Sequence, residues 1–187
     1  MNKCGDLIIF KDRKKNKASR DLGKSDGIRL HNYRDYRDID IATRIKNLWH
    51  RNNILPNPAE ADLRLTQIVV AALDANEKVV AVNTVFEGQF PPNLEEKYRH
   101  ACYYYRMFID PTARRGHLML RMLNAAFDVL ERERNAHSPK SLILVAENRK
   151  FSRKAAAAGL ARYGYLPIAI DPKGQLVFKR DFAPIPE

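Results

Sequence analysis

Apolar positions recur along this chain at two spacings, three-to-four apart and alternating, and the switches between them lay out the elements. Ile41, Ile45, Leu48 and Trp49 fall at helical spacing and predict an amphipathic helix over Asp38–Asn52. Asn57-Pro58-Ala59-Glu60 has the layout of a helix start: a capping Asn, Pro at the first position and Glu three after the cap. A short helix to about Leu65 follows. Gln67–Leu73 and Lys78–Phe86, rich in Val and Ala, flank Asp74-Ala75-Asn76-Glu77 and predict a β-hairpin. Gln89–Asn93, with Pro91 and Pro92, reads as a loop, and Leu94–Arg99 as a helical turn.

The second half repeats a strand-then-helix pattern. The aromatic-rich run Tyr103–Ile109 is a strand stopped by Asp110-Pro111. The loop Thr112-Ala113-Arg114-Arg115-Gly116 then enters a long helix, His117–Arg134, apolar at Leu120, Leu123, Phe127 and Leu130. Ser138-Pro139 breaks the chain before the strand Ser141–Ala146. Asn148 caps a predicted helix running to about Arg162, and Gly164 lies where a left-handed terminating residue belongs. Tyr165–Ile170 and Gln175–Lys179 surround the turn Asp171-Pro172-Lys173-Gly174 as a last hairpin. With Gly27–Asn32 as the opening strand, the order is β-α-α-β-β-β-α-β-α-β-β. This is an α/β (α+β) chain with helices packed on a mixed sheet, without internal repeat or second-domain boundary.

Composition narrows the picture. At 187 residues the chain suits one domain with a core that needs neither disulfides nor metal. Cys4 and Cys102 form no CxxC or Cys/His spacing, which argues against a zinc site or a disulfide scaffold and fits a reducing compartment. No apolar run approaches the roughly 18 residues that span a bilayer, and Leu7–Phe10 is too short for a signal peptide, so the expected location is the cytoplasm. Thirty-three Lys and Arg against 22 Asp and Glu leave a net charge of +11 and favour anionic partners. Lys11, Arg13, Lys14, Lys15, Lys17, Arg20 and Lys24 crowd residues 11–24, so residues 1–26 are expected to form a flexible basic arm ahead of a domain over 27–187. That arm is either a solvated tail or a contact for nucleic acid or another polyanion.

The most specific chemistry lies in the turn after Tyr103–Ile109. A strand feeding a helix through two arginines and a glycine makes a phosphate site: N–H groups at the helix start are unpaired, the dipole favours negative charge, and guanidinium groups add bidentate donors. An ordinary turn with solvated arginines is the competing reading. No GxxxxGK[ST] P-loop, HExxH or GxGxxG is present, which gives nucleotide triphosphatases and zinc proteases little support.

The hairpin before one βα unit, and a second βα unit ending in Gly164-Tyr165, resemble the GNAT acyltransferases over about Gly27–Phe182. Phe108-Ile109-Asp110-Pro111-Thr112-Ala113-Arg114-Arg115-Gly116 looks like that family's pyrophosphate loop, in degenerate form. Anchored on Gly116 the loop has Ala113 and Leu118 at the outer positions; anchored on Arg114 it has His117 and Met119 where small residues are usual. The resemblance implies a mostly antiparallel sheet and an acyl-CoA-dependent N-acyltransferase, most simply one using acetyl-CoA. Met107, Phe108 and Ile109 would supply strand backbone to the pantetheine arm. Arg114, Arg115, Gly116, His117 and Leu118 would surround the pyrophosphate, with Asn148, Ser152 and Arg153 at the next helix start. Glu147, at a strand end, is the first candidate for the base that takes the amine proton, and Glu87 the second. The family's usual tyrosine acid falls on Leu160, so Tyr163 or Tyr165 would have to protonate the thiolate. An acyl carrier protein as donor, a nucleic-acid acceptor, or a non-catalytic nucleic-acid-binding module are the alternatives.

Overall fold

The computed structural model describes residues 21–25, 27–34, 38–55, 57–90, 100–114, 117–147 and 154–185. Its elements are β1 (Asp21–Ser25), β2 (Ile28–Asn32), α1 (Ile39–Arg51), α2 (Pro58–Thr66), β3 (Ile68–Leu73), β4 (Val79–Phe90), β5 (His100–Ile109), α3 (Leu118–Glu133), β6 (Ser141–Ala146), α4 (Lys154–Ala161), β7 (Leu166–Ile170) and β8 (Leu176–Asp181). The eight strands form one sheet in the order β1-β2-β3-β4-β5-β6-β8-β7. Every neighbouring pair is antiparallel except β5 and β6, which run parallel and are joined through α3. The fold is the expected mixed, mostly antiparallel sheet flanked by helices. Among the described residues no helix is long and apolar enough to cross a membrane.

The expected cap at Asn57 is present, and Asp38, read as the first residue of its helix, is a cap as well. Asp38 Oδ1 accepts from the N–H groups of Asp40 and Ile41, and Asn57 Oδ1 accepts from Ala59 N–H. Gly164 has φ +82°, and the Gly164 and Tyr165 N–H groups donate to the Ala161 and Leu160 carbonyls. This is a Schellman end to α4: the left-handed residue reverses the chain and drops Tyr165 beside Leu160 in the core. Two differences from the sequence reading concern strand ends. The sheet begins at Asp21, ahead of the expected Gly27, although residues 1–20 of the basic arm lie outside the described residues. Gln89 and Phe90, expected in a loop, continue β4 by pairing with Ala101 and His100. Phe90 also packs edge-on against the His100 ring, which rewards extending the strand. The helical turn expected over Leu94–Arg99 and the helix cap expected at Asn148 lie outside the described residues.

The sheet is covered on both faces. Met122, Leu123, Phe127 and Leu130 of α3 pack with Leu160, Tyr165 and Phe178 on one side. Ile45, Leu48 and Trp49 of α1 pack on Ile68, Leu73 and Val82 on the other. One buried polar group ties the first layer to the sheet. The β3–β4 register slips between Ile68 and Ala71, and Asn83 Oδ1 accepts from Val70 N–H at 2.9 Å. The Asn83 amide nitrogen donates to the Met122 carbonyl at 3.2 Å, so a bulge in the ladder becomes an anchor for α3.

Candidate active site

The β5–β6 ladder pairs Tyr103 with Leu142, Tyr104 with Ile143 and Tyr105 with Leu144, and it ends there. β5 nevertheless continues to Ile109 and β6 to Ala146, each held by its outer neighbour, β4 and β8. The two strands therefore diverge at their C-terminal ends. Asp110 N–H donates to the Val80 carbonyl on the β4 side. By alternation along the strand, the N–H and C=O groups of Met107 and Ile109 point away from β4, into the opening between β5 and β6. Met107, Phe108 and Ile109 are only half-buried there, as are Leu144 and Val145 across the opening.

Asp110 fixes the chain where it leaves β5. Its Oδ1 accepts from the Thr112 hydroxyl at 2.7 Å and the Thr112 N–H at 3.1 Å. Its Oδ2 accepts from Arg51 Nη2 at 2.9 Å and Nε at 3.3 Å. The Thr112 hydroxyl, with the Arg51 guanidinium, holds the Asp110 carboxyl far below the ordinary carboxylate range against the opposing effect of burial. Pro111–Ala113 then form a single 3-10 turn, after which Arg114 Nε folds back onto the Ile109 carbonyl at 3.1 Å. Arg114 thus stands at the mouth of the opening. Sequence reasoning did not pick out Arg51; a basic residue in the last turn of a helix reads as dipole compensation, and only the tertiary fold brings it to Asp110.

α3 starts without a cap. His117 precedes it, exposed, and its side chain makes no capping bond to the first turn. Arg121 N–H makes the first helical bond to the His117 carbonyl, so the N–H groups of Leu118, Met119 and Leu120 are free of helical partners. The bulky residues of the degenerate loop do not fill this end. Leu118 is buried in the core under α3, and Met119 packs against the same cluster. An uncapped helix start next to an arginine suits a diphosphate, and the divergent strands suit a slender amide-bearing chain. Arg115, Gly116, Asn148, Ser152 and Arg153, also expected here, lie outside the described residues.

The proton-handling candidates are dispersed. Glu147 is exposed just past β6, at the opening, with its N–H donating to Val145. Glu87 pairs with Tyr103, whereas Met107 pairs with Asn83, so Glu87 lies four residues, about 13 Å, back along the sheet. It shares the α3 face with Tyr103, whose hydroxyl pKa is raised mainly by burial, with the Glu87 charge adding and Arg34 opposing. Glu87 and Glu147 are therefore not brought together. Tyr165 is fully buried, and its hydroxyl donates to the Leu123 carbonyl at 3.3 Å. That hydroxyl is bonded inside the core, and its pKa is raised mainly by burial. Tyr163 stays exposed beyond α4, and Leu160 is buried.

No protein-family model matches the sequence, and no curated protein matches it. Solved structures do match. An acetyltransferase of the GNAT family from Streptococcus pneumoniae superposes with a TM-score of 0.59 at 12% identity, covering 83% of this chain and 99% of its own. A ribosomal-protein-S5-alanine acetyltransferase from Vibrio fischeri gives 0.56 at 14% identity, over 85% and 95% of the two chains. A GNAT-superfamily phosphinothricin acetyltransferase from Sinorhizobium meliloti, solved with acetyl-CoA, gives 0.56 at 14% identity over 83% and 89%. These likenesses span most of this chain and about nine-tenths or more of each relative. The chain has the fold of the GNAT acetyltransferases.

Proposed function

We propose that this protein is an acyl-CoA-dependent N-acyltransferase, most simply an acetyltransferase, in which an amine attacks the thioester directly. One observation carries the reading: the β5–β6 ladder stops at Tyr105–Leu144 and leaves the Met107 backbone open, one short turn from an uncapped α3. When bound, the coenzyme supplies the activated acyl group. Arg114, with Arg115, and the Leu118–Leu120 N–H groups would hold its pyrophosphate. Met107 N–H would donate to the acyl oxygen, where negative charge grows during attack. Glu147 would take the amine proton, directly or through water, and Tyr163 is the remaining tyrosine for the departing thiolate.

Calorimetry with coenzyme A tests the binding half. Arg114→Ala combined with Arg115→Ala should weaken binding by about 1–3 kcal/mol, the range for charge-assisted hydrogen bonds. Unchanged affinity would remove the loop from the site. Thermal shifts separate this reading from a binding module: stabilisation by acetyl-CoA supports the enzyme, whereas a salt-sensitive shift with a nucleic-acid oligomer alone supports the module.

A further inference from the structure

The side chains of β5 alternate between the two faces of the sheet, and the face away from α3 carries one charge. Tyr103, Tyr105 and Met107 turn toward α3, while Tyr104, Arg106 and Phe108 turn toward the side of α1 and α2. Arg106 is exposed, and it makes no hydrogen bond or ion pair with any described residue. Its guanidinium instead stands over the Phe86 ring, 5.3 Å from the centroid, and Phe86 is stacked on Tyr104 at 5.2 Å. Tyr104 in turn lies flat over Gly88, where an added Cβ would meet the ring at 2.8 Å, and its hydroxyl donates to the Gln89 carbonyl. The arginine is therefore held on a fixed aromatic pair, with its donors uncommitted among the described residues. It is also the first residue of β5 beyond the last β5–β6 pair, and the residue before Met107.

A preorganised, unpaired guanidinium of this kind matches the two-oxygen edge of a carboxylate or phosphate. Arg106 adjoins Met107 in the strand and its guanidinium stands over Phe86 of the neighbouring strand, so an anion it holds and an amine at the Met107 backbone are within the span of one small molecule. Resting on the acyltransferase reading, we infer that Arg106 selects the acceptor: a small amine that also carries a carboxylate or phosphate group.

The test is acetyl-CoA turnover, followed by thiol release, with matched acceptors: α-amino acids against their carboxamides, and phosphoethanolamine against ethanolamine. The wild type should prefer the acidic member of at least one pair by tenfold or more in kcat/KM, and the pair that responds separates carboxylate from phosphate. Arg106→Met should reduce that ratio to near one while coenzyme A affinity, measured by calorimetry, stays unchanged. Arg106→Lys, which keeps the charge without the fork, should fall between them. Equal use of both members, no turnover of any acidic member by a coenzyme-binding protein, or a preference that survives Arg106→Met would each overturn the inference. Loss of coenzyme A binding by the wild type would instead overturn the acyltransferase reading beneath it.

Discussion

Replacing Asp110 by Asn removes a charge from the hinge between β5 and the α3 loop while keeping its shape. Four donors converge on the two carboxylate oxygens, two from Thr112 and two from Arg51. An Asn can satisfy only one pair with its oxygen, and its NH2 group must face the other. Hydrogen bonds to a charged group are worth about 1.5–3 kcal/mol each. The Arg51 side chain is 33% exposed, which screens its part, so the net loss should be about 2–3 kcal/mol at pH 7. For a chain of this length that is about 4–12 °C in Tm. The carboxyl titrates below its unfolded value of about 3.9, so its contribution is complete above that pH and is lost as pH falls toward the folded value. Urea unfolding of wild type and Asp110→Asn at pH 7 and pH 2.5 should therefore give a gap that narrows to under about 1 kcal/mol at the lower pH, at up to about 1.4 kcal/mol per pH unit. A gap under about 0.5 kcal/mol at pH 7, or one that stays constant down to pH 2.5, would refute the assignment of Asp110 as a charged anchor; the 0.5 kcal/mol threshold is the usual spread of neutral surface changes.

Other outcomes follow from the same contacts. Tyr165→Phe removes a hydroxyl that bonds the Leu123 carbonyl and interacts with the Arg180 guanidinium, so it should cost about 1–2 kcal/mol in denaturant unfolding and leave kcat within twofold. A large fall in kcat with unchanged stability would restore the catalytic role. Asn83→Ala strands the Val70 N–H and the Met122 contact inside the core and should cost about 2–4 kcal/mol, read by chemical denaturation. Gly88→Ala pushes against the Tyr104 ring and should cost about 1–3 kcal/mol of stability, more than the same change at Gly159, whose added Cβ meets nothing within 4 Å. Glu147→Gln should lower kcat by about 10²-fold or more with coenzyme A affinity unchanged in calorimetry; equal activity would point to another base.

Local signals determined much of this protein. The spacing of Ile41, Ile45, Leu48 and Trp49, the cap at Asn57, the Asp-Pro stop after β5 and the left-handed Gly164 all act within a few residues, and each stands where the sequence places it. Strand ends were less legible, because whether Gln89 and Phe90 extend β4 depends on partners ten and more residues away. The site divides in the same manner. A strand, basic loop and helix in succession are a local pattern, so the turn proposed to bind an anion could be located from the chain. The direction of a side chain and the point where a ladder ends are set by neighbours from elsewhere in the fold. Packing alone turned Leu118 inward, locked the Tyr165 hydroxyl onto α3, parted Glu87 from Glu147, carried Arg51 to Asp110 and laid Arg106 over Phe86, unpaired among the described residues.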